Sequence, residues 1–282
     1  MKSLKEYLNW AEENKVAIGH FNISDSEGFK AIKEVAEELN LPVVVGVSEG
    51  EREFIGLKEA KALVLSAQEE NLPIFLNADH TYSIEKAKEA IDLELDSVII
   101  DSANKSFEEN IRITKEVVEY AQSKGGKTLI EAELGFIGQS SKVLDNLPDG
   151  VSPETQTNPE EAQKFVEETG INLLAPSVGN VHGMIKTGNP KLNIERIKEI
   201  REKALVPLVL HGGSGISDED FRQAIETGIA MIHINTELRV AYREGIEEGL
   251  KDNEIAPYKF MAKGVEEMKE VIRAKLKLFN NL

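Results

Sequence analysis

Short runs of Val, Ile and Leu alternate with polar segments along nearly the whole chain. Eight runs read as strands: Val16–Phe21, Pro42–Ser48, Pro73–Asp79, Ser97–Asp101, Thr128–Glu133, Leu173–Ser177, Pro207–His211 and Ala230–Ile234. They lack strict alternation of apolar and polar positions, as strands covered on both faces do. The intervening segments carry apolar residues at helical spacing and predict helices over Glu27–Leu39, Leu57–Glu70, Ile84–Leu93, Phe107–Gln122, Pro159–Glu168, Ile194–Glu202 and Glu219–Glu226. Start signals support several of them: Ser83 before Ile84, Asn158-Pro159 with Glu161, and Ser217-Asp218-Glu219-Asp220. Pro42, Pro73 and Pro207 open three of the strands, where a missing N–H costs no ladder bond. An opening helix over Leu4–Asn14 and a closing one over Tyr258–Phe279 flank the series.

Eight strands alternating with helices in 282 residues predict a single-domain (β/α)8 barrel, an α/β fold. A doubly wound sheet is the alternative, but Gly-x-Gly-x-x-Gly does not follow the first strand. The long irregular stretch Gly135–Asn158 reads as a functional loop, a lid that orders with substrate.

With 33 Lys+Arg against 50 Asp+Glu the formal charge is −17, which argues against a nucleic-acid partner. The N-terminus lacks the apolar run of a secretory signal, and no stretch approaches the roughly 18 apolar residues of a membrane span. Cysteine is absent, so there is neither a disulfide framework nor a thiolate metal site. A cytoplasmic protein without a membrane partner is expected.

In such a barrel the reacting groups sit at the C-terminal ends of the strands. His80, His182, His211 and His233 fall at or just past such ends, and His20 lies within the first strand. Three imidazoles plus an open position describe a catalytic zinc site. Asp79 stands beside His80 and can orient a ligand or carry a proton. Glu131 and Glu133 share one strand face, and two buried like charges call for a cation. Val178-Gly179-Asn180-Val181-His182-Gly183 and His211-Gly212-Gly213-Ser214-Gly215 offer backbone N–H groups to an anion, and Asn235-Thr236 completes the cradle.

These residues resemble the class II, metal-dependent fructose-bisphosphate aldolases and their tagatose-bisphosphate relatives. The resemblance runs nearly end to end through His20-Phe21-Asn22, Val47-Ser48-Glu49-Gly50, Asp79-His80, Ile100-Asp101-Ser102, Glu131-Ala132-Glu133-Leu134-Gly135, Gly179 to Gly183, Leu210 to Gly215 and Ile234-Asn235-Thr236-Glu237-Leu238-Arg239. It implies Zn2+ on His80, His182 and His211, with Glu133 as an alternate ligand and Asp101 in the metal set. A second divalent site and a monovalent cation, Na+ or K+, belong to the same implication. Asp79 would be the acid–base residue at the C4 hydroxyl. Gly183, Lys186, Gly212, Ser214, His233, Asn235 and Thr236 would hold the dihydroxyacetone-phosphate part, and Ser48 the other half. The implied activity is reversible cleavage of a ketose 1,6-bisphosphate, with fructose 1,6-bisphosphate first and tagatose bisphosphate or another ketose phosphate as the alternative. A homodimer or homotetramer is implied too. A non-catalytic, metal-binding sugar-phosphate sensor is the reading from another class.

Two departures stand out. The family's acidic pair in the loop after strand five is missing from Gly138-Gln139-Ser140-Ser141-Lys142, which leaves Asp145 as a replacement base. His233 occupies a position usually held by asparagine, so it is expected to make binding of the ketone-phosphate fragment depend on pH near 6.5.

Overall fold

The computed structural model describes residues 2–138 and 141–282. Gln139 and Ser140 of the expected lid lie outside the described residues. Eight parallel strands close into a barrel: β1 Ile18–Asn22, β2 Val43–Val47, β3 Ile74–Thr81, β4 Ser97–Ile100, β5 Leu129–Leu134, β6 Leu173–Pro176, β7 Leu208–Leu210 and β8 Ile229–Ile234. Each pairs with its neighbours in chain order, and β8 returns to β1. This is the (β/α)8 barrel that the sequence predicts.

Side chains two apart along a strand point the same way, so the inward set can be followed layer by layer. The lowest layer is apolar: Ile18, Val44, Phe75, Leu129, Leu173, Val209 and Met231 are buried together. The opening helix Leu4–Asn14 lays Leu4, Leu8 and Ala11 on that layer and plugs the barrel floor. One step up, the same parity gives His20, Gly46, Asn77, Ser97, Glu131 and His233. One step further it gives Asn22, Ser48, Asp79 and Glu133. The outward residues are apolar as well, such as Val43, Val45, Ile74, Leu76 and Ile130, and pack under the helices. Strict alternation is therefore missing from the sequence although it is present in chemistry. The barrel runs from an apolar floor to a polar mouth.

The expected helices form within a residue or two of their predicted ends, from Ser26–Leu39 through Asp218–Thr227. Two helices beyond those predicted matter here: Glu49–Ile55 after β2 and Thr236–Gly249 after β8. The expected closing helix is not one piece: a single turn, Pro257–Phe260, passes through Met261 into Ala262–Phe279. The loop after β5 contains a two-residue strand, Val143–Leu144, paired in parallel with Met184–Ile185 from the loop after β6. Among the described residues no helix is long and apolar enough to cross a membrane.

Candidate active site

Asp79 and His80 are consecutive, and consecutive strand residues normally face opposite ways. A break in register between Ala78 and Thr81 on the β4 side removes that constraint. His80 takes the left-handed conformation there, with φ of 39°, which a non-glycine residue rarely adopts. Both side chains consequently line one cleft at the barrel mouth, with Asn22, Ser141, His182, Gly183, Gly212, Ser214, His233, Asn235 and Thr236. Asn22 and Ser141 were not singled out from the sequence.

The protons on the three ligand-type histidines follow from their partners. His80 Nδ1 lies 2.9 Å from Asp101 Oδ2, and His182 Nδ1 lies 2.7 Å from the Gly138 carbonyl. Both partners only accept, so Nδ1 carries a hydrogen in each ring and Nε2 is the nitrogen left without a carboxylate or carbonyl partner. Those two Nε2 atoms face one another at 3.1 Å. His211 donates through Nε2 to Glu131 Oε1 at 2.7 Å, and its Nδ1 lies 3.4 Å from Glu133 Oε2. His211 Nδ1 and Glu133 Oε2 are buried without a hydrogen-bond partner. Lone pairs this close repel unless a proton or a cation lies among them. One ligand atom from each of His80, Glu133, His182 and His211 falls within a 4.8 Å cluster. Three imidazoles and a carboxylate make a donor set suited to a borderline-soft divalent ion. The residues fit a metal.

Local electrostatics agree. Burial opposes a charged imidazole, yet Asp79 and Asp101 push His80 up to about 9. Burial is outweighed at His211 too, where Glu131 and Glu133 hold the ring well above its usual range. His182, buried and facing both rings, is pushed down to about 3. Burial, then Asp101, raises Glu133. The acids thus set up a field that holds positive charge among the three rings.

Asp101 is placed as the acceptor that orients His80 rather than among the converging ligand atoms, and Glu131 does the same for His211. Asp79 is 3% exposed; its Oδ2 accepts from Asn22 Nδ2 at 2.8 Å, while Oδ1 has no hydrogen-bond partner. His20 and His233 sit side by side in the β1–β8 register and stack at 3.4 Å with an interplanar angle of 2°. His233 stacks in turn on His211 at 4.1 Å. Parallel rings direct their lone pairs along parallel lines, so His20 and His233 stack rather than share an ion. Burial and the neighbouring imidazoles of His20 and His211 hold His233 well below its usual pKa. That direction runs against the charge change expected near 6.5.

Gly183, Gly212, Ser214, His233, Asn235 and Thr236 line the cleft as expected, and Asn235-Thr236 open the helix Thr236–Gly249. Gly212 has φ of 60°, and a Cβ there would lie 2.1 Å from the Val181 carbonyl oxygen, so only glycine brings these loops together. Ser48 and Lys186 are placed outside the cleft lining. Ser48 precedes Glu49–Ile55, and exposed Lys186 pairs with Asp145 at 2.6 Å. Asp145 does not line the cleft either; it faces Lys186.

The fructose-bisphosphate aldolase class-II family profile matches residues 2–282. The chain belongs to the class II fructose-bisphosphate aldolases. Fructose-bisphosphate aldolase from Staphylococcus aureus (strain Mu50) is 41% identical over 283 residues, covering 98% of this chain and 96% of that relative. The enzyme of the same name from Geobacillus stearothermophilus is 40% identical over 285 residues, covering 99% and 96%. The crystal structure of the YdjI aldolase from Escherichia coli K12 superposes with a TM-score of 0.82 at 32% identity, covering 99% of this chain and 96% of that one. This class II aldolase is therefore a carbon–carbon lyase acting on a phosphorylated sugar, in a family that is generally metal-dependent.

Proposed function

We propose that this chain, as one aldolase domain over residues 1–282, is a zinc-dependent enzyme that reversibly cleaves fructose 1,6-bisphosphate to dihydroxyacetone phosphate and glyceraldehyde 3-phosphate. The observation that carries the reading is the convergence of one ring nitrogen each from His80, His182 and His211 with a Glu133 oxygen, beside Asp79, whose Oδ1 accepts no hydrogen bond. When bound by His80, His182 and His211, with Glu133 near, the ion supplies Lewis-acid stabilisation of negative charge on the ketone fragment.

The chain's own groups do the rest. Asp79 Oδ1 takes the C4 hydroxyl proton as the C3–C4 bond breaks, leaving the aldehyde and an electron pair on the ketone fragment, which takes a proton from solvent at that carbon to become dihydroxyacetone phosphate; condensation reverses both transfers. The backbone at Gly183 and Gly212, the Ser214 hydroxyl and the Asn235-Thr236 helix start hold the ketone-side phosphate. Lys186 joins them by exchanging Asp145 for phosphate. His233 contacts the ketone fragment by a hydrogen bond, and Ser48 contacts the aldehyde half. Asp79 Oδ1, which accepts no hydrogen bond although His233 Nδ1 lies 3.5 Å away, favours an enzyme over a sensor, because binding alone needs no proton acceptor.

Cleavage of fructose and tagatose bisphosphates, each with and without chelator, tests this reading. Faster cleavage of the fructose ester is expected, lost with chelator and restored by Zn2+, Co2+ or Mn2+. Full activity in metal-free protein overturns it, and faster cleavage of the tagatose ester transfers the reading to that substrate. A second divalent ion, a monovalent Na+ or K+ near the phosphate, a homodimeric or homotetrameric assembly and a cytoplasmic location complete the proposal. Elemental analysis and light scattering check the ions and the assembly.

A further inference from the structure

Glu51 lies one turn into the helix after β2, is 6% exposed, and has no part in the chemistry above. Its Oε1 receives Arg239 Nη2 at 2.6 Å, and its Oε2 receives Asn22 Nδ2 at 2.9 Å and the Ser48 N–H at 2.8 Å. Asn22 Nδ2 simultaneously donates to Asp79 Oδ2 at 2.8 Å. One amide group therefore sits between two carboxylates, and its two hydrogens are shared out, one to each. A flipped amide would turn its oxygen toward both acids, so the orientation is fixed by the neighbours. Arg239, from the helix after β8, offsets the Glu51 charge, so Glu51 can stand near Asp79 without opposing its ionised form. The same guanidinium lies 3.5 Å from the Ser141 carbonyl in the loop after β5.

We propose that Glu51 is a positioning residue: held by Arg239, it pins Asn22, and Asn22 pins the Asp79 carboxylate so that Oδ1 faces the substrate hydroxyl. Capping of the helix Glu49–Ile55 explains only the Ser48 contact. It explains neither why the amide bridges to the proton-transfer group nor why a second helix sends an arginine across the barrel mouth. The inference rests on the aldolase reading and names a residue through which it operates.

Steady-state cleavage by metal-loaded E51Q and R239Q proteins tests it, with D79N and E51Q/D79N alongside. A glutamine at 51 still caps Ser48, but it cannot serve Asn22 and Arg239 together as an acceptor on both oxygens. The expected result is a fall in kcat of about 10- to 100-fold for E51Q with KM within about threefold of wild type and metal content unchanged. R239Q, an exposed change with little risk to folding, should show the same pattern more weakly. The double variant E51Q/D79N should be no slower than D79N, because nothing remains to be positioned. A kcat for E51Q within about twofold of wild type, or a full multiplicative loss in the double variant, overturns the proposal. Wild-type protein inactive on both sugars would instead defeat the aldolase reading. A crystal structure of E51Q supplies a readout free of activity: Asp79 Oδ2 should leave Asn22, and an unmoved carboxylate counts against the role.

Discussion

Gly46 has no side chain because His20 occupies its place. A Cβ at position 46 would lie 2.1 Å from His20 Cε1 and 2.6 Å from Nε2, and His20 is fully buried with its Nε2 held 3.2 Å from Asn77 Oδ1. Gly46→Ala must push the ring into His233, so it should destabilise the fold by about 1–3 kcal/mol, as overpacking does. In a His20→Ala background the same change should cost much less, since the obstructing ring is gone. Denaturant midpoints of the four proteins check this, and equal costs in both backgrounds would remove the contact from the explanation. Residues of this kind were hidden in the sequence. His80, His182, His211 and Asp79 were legible because strand ends advertise chemistry and imidazole has few uses there. Asn22, Glu51 and the His20–His233 stack acquire meaning only from register, which brings positions 20 and 233 side by side and puts Glu51 within reach of residues 22 and 239.

Strands and long helices were readable because Val, Ile and Leu runs are bounded by Pro, Gly and polar caps, and the barrel closes from that order alone. The helix Glu49–Ile55 escaped because its seven residues carry no apolar stripe; it stops at Gly56, whose φ of 87° only glycine tolerates well. The ribbon of Val143–Leu144 with Met184–Ile185 is too short for any pattern, yet it ties the loops after β5 and β6 together. Lys186 and Asp145 add an ion pair across the same two loops, with 61% and 77% of the side chains exposed, so the pair contributes little to stability. Its consequence is for binding. Asp145→Asn should free Lys186 for phosphate and lower KM for the bisphosphate while leaving the unfolding midpoint unchanged. Lys186→Met should raise KM by about 10-fold or more, the usual worth of a hydrogen bond to a charged group. Proton exchange at the ketone product should persist in Asp145→Asn; its loss would restore Asp145 as the base. Unchanged KM in both variants would take Lys186 out of the phosphate site.

At the scale of the molecule, the excess of acids and the cluster at the barrel mouth bear on the same question. A chain with formal charge −17 repels itself, so any salt that screens the charge should stabilise it somewhat. A metal at the mouth would act differently, because its ligands would come from β3, β5, the loop after β6 and the end of β7 and would bridge the His80 and His182 Nε2 atoms that face one another at 3.1 Å. Binding to the folded state alone stabilises by an amount set by ligand excess, about 2.7 kcal/mol at a hundredfold excess over Kd. Chelator should therefore lower the thermal midpoint by several degrees, and Zn2+ should restore it. Screening and site binding separate by comparing Zn2+ with Mg2+ at equal ionic strength, since imidazole ligands favour the former and oxygen ligands the latter. The excess stabilisation by Zn2+ over Mg2+ should disappear in His211→Ala, which lacks that ring nitrogen, while the screening part persists. Equal responses to the two ions in wild-type protein would mean that the acids are only being screened and that the three histidines hold no metal.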